Sequence, residues 1–187
     1  MALTSTLYHL DLHLSHVDRG IDQALVLKAA RHPSETMERV WLRVLALLWQ
    51  WEDRIEFGPG LCEPDAPDVA AARLDGTPSL VVRVGKPEPA RIARDVSQNA
   101  GARVAVLFES PRRMEAFLTE AAGEKLGRVA QAELAAVEPA LLAELSARDD
   151  RRIRSSVTIV ADHFYVERDG RTVDGPLHRG RFGAGAP

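Results

Sequence analysis

An acidic residue and a lysine that lie close to one apolar segment indicate phosphate chemistry. Asp68 follows Pro67 in an acidic loop, and the apolar residues 80–82 lead into Arg83 and Lys86. In metal-dependent phosphodiester hydrolysis, carboxylates hold Mg²⁺ and a lysine stabilises the charge that develops on the phosphoryl group. Asp68 and Lys86 fit these two roles, whereas Arg83 stands where a second acid is expected and cannot ligate a cation. The sequence therefore predicts a nuclease-type site with an altered set of metal ligands.

The spacing of the two cations decides whether they can share one site. Arg83 and Lys86 are three positions apart, so on an ideal strand their side chains project from opposite faces. Gly85 permits a bulge that would turn Lys86 back towards the site. Arg83 and Lys86 would then form a dicationic pocket beside Asp68, and this pocket would bind a phosphate better than a metal ion. Alternatively, Arg83 forms a structural ion pair with Asp68 or with a glutamate of a helix.

Hydrophobic periodicity indicates which elements position these residues. Apolar and polar residues alternate over residues 8–14, and residues 24–30 are largely apolar, which together predict an N-terminal β-hairpin. Ser34 is a favourable N-cap, and apolar residues recur at helical spacing after it, so a helix is predicted over residues 35–52. A short strand is expected at residues 54–57.

Strand and helix patterns alternate in the second half of the chain. The predicted strands are residues 79–85, 103–108 and 129–132, the helices are residues 89–98, 112–125 and 139–148, and a closing hairpin spans residues 157–160 and 164–167. Repeated strand–helix units predict an α/β fold with a mixed central sheet flanked by helices. Asp68 either belongs to the site or caps a short helix over residues 69–73. Residues 1–175 are expected to form one domain and residues 176–187 a flexible tail.

The composition limits the functional classes. With 187 residues, of which 45% are hydrophobic, the chain is long enough for one domain with a buried core. A net charge of -3 gives no overall basic surface, so any nucleic-acid binding must be local. Cys62 is the only cysteine, which excludes an internal disulfide. The sequence shows no secretory signal pattern and no apolar run of about 18 residues, which predicts a cytoplasmic protein that does not cross a membrane.

Several short motifs, taken together, resemble the YaeQ family over most of residues 1–168. They are Ala30-Arg31-His32-Pro33-Ser34-Glu35-Thr36, Glu38-Arg39, Arg54-Ile55-Glu56-Phe57, Gly60-Leu61, Glu63-Pro64-Asp65, Pro67-Asp68, Val84-Gly85 and Arg91-Ile92. The resemblance implies a compact, altered form of the restriction-endonuclease-like fold, with a mixed sheet flanked by helices.

The resemblance also implies an acidic site that holds Mg²⁺. Its ligands would be Asp68, a glutamate early in the first helix and a glutamate on the strand that follows Asp68. Glu35 and Glu38 are both candidates for the helix ligand, and Glu38 is preferred because acids in the first turn, such as Glu35, also interact favourably with the helix dipole. At the strand position the similar proteins carry glutamate, whereas this chain has Arg83.

Three functional classes are compatible with these residues. The first is a phosphodiesterase in which Glu38 and Asp68 hold one Mg²⁺ and Lys86 stabilises the transition state. The second is a noncatalytic protein that binds nucleic acid or another phosphorylated ligand through Arg83 and Lys86. The third is a protein-interaction module in which the residues of the nuclease-type site have only a structural role. We favour a nuclease-type scaffold that binds such a ligand with weak or no hydrolysis.

Overall fold

The computed structural model describes residues 5–63 and 65–183. Over these residues, ten strands form one mixed sheet in the order β2-β1-β8-β9-β10-β7-β6-β5-β4-β3. The strands are β1 (Thr6–His16), β2 (Ile21–Arg31), β3 (Glu56–Phe57), β4 (Val69–Ala72), β5 (Pro78–Val84), β6 (Arg103–Phe108), β7 (Glu133–Val137), β8 (Arg152–Val160), β9 (His163–Arg168) and β10 (Arg171–Gly180). The helices are α1 (Met37–Trp49), α2 (Pro89–Gln98), α3 (Pro111–Gly123) and α4 (Pro139–Ser146). The chain thus has the mixed α/β fold that its strand–helix pattern predicts.

Helix α1 lies in the centre of the protein. Eleven of its thirteen residues are buried, because apolar side chains surround the helix on every side. Trp41 and Leu45 share one hydrophobic core with Leu10 of β1, Val82 of β5 and other side chains from both halves of the sheet. A second core packs α2 and α3 against the opposite face of β5, β6 and β7. The sheet therefore holds α1 and α4 on one face and α2 and α3 on the other.

Strand β10 connects the two halves of the sheet. Its residues 171–176 pair with β9, and its residues 177–180 pair with β7, both in antiparallel orientation. The prediction that residues 176–187 form a flexible tail is therefore wrong for residues 176–180. The physical reason is that Leu177 is 3% exposed and fills the main core, although Gly175 and Pro176 suggest the end of regular structure. Residues 184–187 lie outside the described residues.

Two further elements differ from the predictions, and both errors fall in alanine-rich sequence. Residues 69–72 form strand β4, which pairs with β5, and not a short helix. Residues 127–131 form a 3-10 helix, and the neighbouring strand β7 begins at Glu133. Alanine is the best helix former and is depleted in strands, so at residues 69–72 the pairing with β5 overrides the local preference.

The other predicted elements agree with the structure within a few residues. The N-terminal hairpin is confirmed, since β1 and β2 pair over their full length. None of the helices in the described part of the chain is long and apolar enough to span a membrane.

Candidate functional site

Asp68 directly precedes β4 and contacts both a helix and a strand. The residue is 6% exposed. Its Oδ1 accepts a hydrogen bond from Arg39 Nη2 at 2.5 Å, and its Oδ2 accepts one from the backbone N–H of Val84 at 2.9 Å. Both carboxylate oxygens are therefore engaged at the end of β5.

Arg39 connects the first turn of α1 to the same end of β5. Its position is fixed by the helix N-cap, because Thr36 Oγ1 accepts a hydrogen bond from the backbone N–H of Arg39 at 3.2 Å. Its Nη1 donates to the carbonyl oxygen of Val84 at 3.2 Å, and its Nε lies 3.4 Å from Oε1 of Glu35. The side chain is 27% exposed, although its Nε is buried.

Glu35 is fully buried and is compensated by a second arginine. Its Oε2 accepts hydrogen bonds from Arg43 Nη2 at 2.9 Å and from the backbone N–H of His32 at 3.3 Å. Arg43 is 1% exposed and also donates to the carbonyl oxygen of Ala30 at 2.6 Å. These side chains thus form a chain of alternating charges that runs from the sheet into the core, in the order Asp68, Arg39, Glu35, Arg43.

Gly85 brings the backbone close to the Arg39 guanidinium. Its φ of +81° lies in the left-handed region, and a Cβ at this position would lie 3.1 Å from Nη1 of Arg39 and 3.4 Å from Oε2 of Glu109. The Gly85 N–H donates to the carbonyl oxygen of Leu107 at 2.9 Å, which holds the end of β5 against β6. Glycine is therefore required for this close approach.

Lys86 follows Gly85 and is exposed. Among residues 5–63 and 65–183 it makes no hydrogen bond or ion pair. Glu38 is likewise exposed, in the first turn of α1. The structure thus brings Glu35 and Asp68 together around Arg39, whereas Glu38 and Lys86 face solvent.

Arg83 belongs to a structural contact between β5 and α2. Its Nε donates to Oδ2 of Asp95 at 2.8 Å, and its Nη2 donates to Oδ1 of the same residue at 3.1 Å. It also donates to the carbonyl oxygens of Ala66 at 2.5 Å and Asp65 at 2.9 Å. Sequence reasoning predicted a possible ion pair with Asp68 or a helix glutamate, and the pair formed instead involves a helix aspartate.

The fit of Mg²⁺ to these residues can be judged from where the carboxylate oxygens point. No cluster of three or more His, Cys, Asp or Glu within the described ranges is arranged to hold a metal ion. Both carboxylate oxygens of Asp68 accept hydrogen bonds, and the remaining oxygen of Glu35, Oε1, faces Nε of Arg39. A guanidinium thus stands between the two acids, and in this arrangement the residues do not fit Mg²⁺.

Sequence reasoning missed Arg39, Arg43 and Asp95 as parts of this region. The spacing of Glu35, Arg39 and Arg43 by four residues was a usable signal, because such residues lie on one side of a helix. No comparable signal marks Asp95, since its partner depends on how α2 packs on the sheet.

The fold and the site define a mixed α/β protein whose sheet encloses a buried helix and ends in an arginine–carboxylate cluster. The sequence matches the family model described as YaeQ protein over residues 1–176. The chain therefore belongs to the YaeQ family, which confirms the resemblance of its motifs.

Relatives and solved structures agree with this assignment over nearly the whole chain. The uncharacterized protein YaeQ of Escherichia coli K12 is 33% identical over 176 residues, which are 93% of this chain and 94% of that protein. The crystal structure of the YaeQ protein from Xanthomonas axonopodis pv. citri matches with a TM-score of 0.86 and 27% identity, covering 95% of this chain and 99% of that one. The YaeQ protein from Pseudomonas syringae matches with a TM-score of 0.82 and 27% identity, covering 96% and 98%. The fold described above is thus shared with solved members of the family.

Proposed function

We propose that this protein has a nuclease-type scaffold that binds nucleic acid or another phosphorylated ligand at the end of β5, with weak or no hydrolysis. One observation carries the proposal: the Arg39 guanidinium lies between Glu35 and Asp68. A nuclease of the restriction-endonuclease-like class would place its divalent cation between such acids. Assignment to that class stays a prediction from the family resemblance.

An arginine in this position retains one function of a metal ion and loses another. It neutralises the two acids, and its exposed part can donate hydrogen bonds to phosphate oxygens, for which the guanidinium geometry is well suited. A guanidinium has no site for a bound water whose pKa it could lower, so it does not generate a hydroxide nucleophile as a metal ion does. Binding without efficient hydrolysis is the expected result.

Lys86 supplies the second cation of the proposed phosphate site. It is exposed, it has no ionic partner within the described residues, and it follows the glycine that contacts Arg39. Arg83 then acts indirectly, because it holds β5, α2 and the carbonyl groups of residues 65–66 in place. This role replaces the direct phosphate contact expected from its spacing to Lys86.

Binding assays with defined oligonucleotides test the proposal. Fluorescence anisotropy would measure binding of labelled single- and double-stranded DNA and RNA, with Mn²⁺ or with EDTA, and gel electrophoresis of the same samples would detect cleavage. We expect salt-sensitive binding in EDTA, and no more than slow cleavage in Mn²⁺. Lys86→Ala should weaken binding by roughly three- to tenfold. It should also reduce the magnitude of the slope of log binding constant against log salt concentration by about one.

The matched control is Lys125→Asn. Lys125 is an exposed lysine two residues after the end of α3, with a φ of 56°, a conformation that asparagine accepts. This variant should bind like the wild type. Rapid cleavage that requires Mn²⁺ and is lowered by Lys86→Ala would establish an active phosphodiesterase instead, and no binding of any probe would overturn the phosphate site.

A further inference from the structure

Strand β2 is a long edge of the sheet. It spans eleven residues and, in the described part of the chain, pairs with β1 on one side only. Val26, in its middle, is 78% exposed. Because an exposed edge of this length presents a row of unpaired backbone groups, it is a template for pairing with another strand.

The direction of the backbone groups shows which residues of β2 face this free edge. The N–H of His9 donates to the carbonyl oxygen of Arg151 in the segment that leads into β8. The backbone N–H and C=O groups of odd-numbered residues of β1 are therefore directed towards β8, and those of even-numbered residues towards β2. Leu10 of β1 is paired with Leu27 of β2, so odd-numbered residues of β2 bond to β1. The even-numbered residues of β2, from Asp22 to Lys28, therefore direct their N–H and C=O groups outwards.

The side chains of these even-numbered residues lie on the outer face of the sheet and form a self-complementary series. Asp22, Ala24, Val26 and Lys28 are all exposed, with an acid at one end, a base at the other and apolar residues between them. We propose that a second copy of this chain adds its own β2 to this edge in antiparallel orientation, around a two-fold axis at Leu25. Asp22 then lies opposite the partner's Lys28, and Ala24 lies opposite the partner's Val26.

Charge selects this register over its neighbours. A shift by two residues places Lys28 opposite the partner's Ala24, or Asp22 opposite the partner's Val26, and both charge pairs are lost. A shift by one residue pairs groups that face the free edge with groups already bonded to β1. In the chosen register the even-numbered residues, whose backbone groups point outwards, lie opposite one another, and each of these pairs can exchange two hydrogen bonds.

The charged groups at the edge are available for these pairs. Asp22 bonds through Oδ1 to Nε2 of His13 at 2.7 Å, and its Oδ2 has no partner within the described ranges. Lys28 makes no hydrogen bond or ion pair among residues 5–63 and 65–183. Two-fold symmetry makes both Asp–Lys pairs identical, as an isologous dimer interface requires.

The self-association of the full chain tests the proposal. Light scattering after size exclusion and sedimentation equilibrium, from low micromolar to several hundred micromolar protein, should show a species of twice the chain mass of 20.5 kDa. Val26→Pro should abolish the dimer, because proline removes an outward N–H without breaking the pairing with β1. Val26→Thr keeps that N–H and serves as the control, and circular dichroism verifies the fold of both.

A charge exchange tests the register itself. Asp22→Lys or Lys28→Asp alone places like charges opposite each other twice, which should raise the dimer Kd at least tenfold. The double variant Asp22→Lys/Lys28→Asp restores opposite charges and should restore the dimer. A wild-type protein that stays monomeric throughout, a dimer that persists in Val26→Pro, or a double variant as weak as its parents would overturn the proposal.

Discussion

Arg83 and Asp95 form a two-point ion pair that fixes α2 to β5. The side chains of both residues are 7% exposed, and each nitrogen of the pair faces its own carboxylate oxygen. A buried pair of this kind strongly restrains its neighbours, since either partner alone would leave an uncompensated charge. The strand position at which related proteins are expected to carry a glutamate thus has a structural role in this chain.

Arg83→Glu is predicted to destabilise the protein and not to create a metal site. It would set two carboxylates against each other and remove the donors to the carbonyl groups of Ala66 and Asp65. The free energy of unfolding, measured by urea denaturation, should fall by about 3–5 kcal/mol.

The double variant Arg83→Met/Asp95→Leu is the control for that change. It removes both charges together and should cost clearly less than Arg83→Glu. A stable Arg83→Glu protein that cleaves oligonucleotides only with Mn²⁺ would show instead that this position still faces a usable metal site.

Gly85→Ala is predicted to disturb the Arg39 cluster, and Gly76→Ala provides a matched control. Both glycines have a left-handed backbone, with φ of +81° and +83°, but a Cβ on Gly76 would meet open space whereas one on Gly85 would crowd Arg39 Nη1. Gly76→Ala should cost about 1–2 kcal/mol of unfolding free energy through backbone strain alone. Gly85→Ala should cost about 1–3 kcal/mol more through overpacking, as measured by urea denaturation. Equal losses in the two variants would argue against a tight contact at Gly85.

Arg39→Gln is predicted to create sensitivity to divalent cations. Removing the guanidinium leaves Asp68 without its cation and opens space beside Glu35. Added Mg²⁺ or Mn²⁺ should then raise the melting temperature of the variant, by an amount corresponding to about 2.7 kcal/mol when the metal concentration is 100 times the dissociation constant. The wild type should not respond.

Arg39→Gln/Asp68→Asn is the control for the metal effect. It retains the space but loses one carboxylate charge, so the stabilisation by metal should disappear. A metal response of equal size in the wild type would mean that Arg39 does not compete with the cation.

Tyr8→Phe is predicted to change how stability depends on pH. The Tyr8 hydroxyl donates to Asp149, and Arg31 Nη1 donates to both the hydroxyl oxygen, at 2.9 Å, and the Asp149 carboxylate, at 3.0 Å. The hydrogen bond from Tyr8, followed by that from Arg31, lowers the pKa of Asp149 below its usual 3.8. Burial, followed by the bond to Asp149, raises the pKa of Tyr8 above its usual 10.0.

The sign of the effect follows from these two directions. Because the pKa of Asp149 is lower in the folded state, its stabilisation is complete above about pH 4 and is lost as the pH falls through the folded-state value. Because the pKa of Tyr8 is raised, its stabilisation is complete at neutral pH and declines above about pH 10. The wild type should therefore exceed Tyr8→Phe by about 1 kcal/mol near pH 7, and by less below pH 3 and above pH 10. A constant difference in denaturant titrations across this range would contradict the assignment.

The sequence predicted elements well where one local signal was sufficient. Pro89 at the first helical position and an uninterrupted apolar run in residues 103–108 gave α2 and β6 with the observed bounds. It failed at β10, because the decision to pair residues 176–180 comes from partners that are distant in the sequence. Local patterns contain no information about such partners.

The candidate site was predicted only in part, because some of its contacts also join residues that are distant in the sequence. Asp68 was predicted with Glu38 as the preferred helix acid and Glu35 as the alternative, and the structure brings Asp68 and Glu35 together around a cation while Glu38 is exposed. That the cation is Arg39 depends on the angle at which α1 meets β5, which no spacing along the chain specifies. The partner of Arg83 likewise depends on which face of β5 receives α2.

The position of β10 has a consequence for folding during synthesis on the ribosome. The strands on either side of it, β9 and β7, are synthesised earlier, and each keeps an open edge until residues 171–180 have left the exit tunnel. A nascent chain that ends before β10 has two incomplete sheets around one apolar helix, and such a state is prone to aggregation with other chains. Molecular chaperones that act during translation should therefore matter most for this protein in the interval just before β10 emerges.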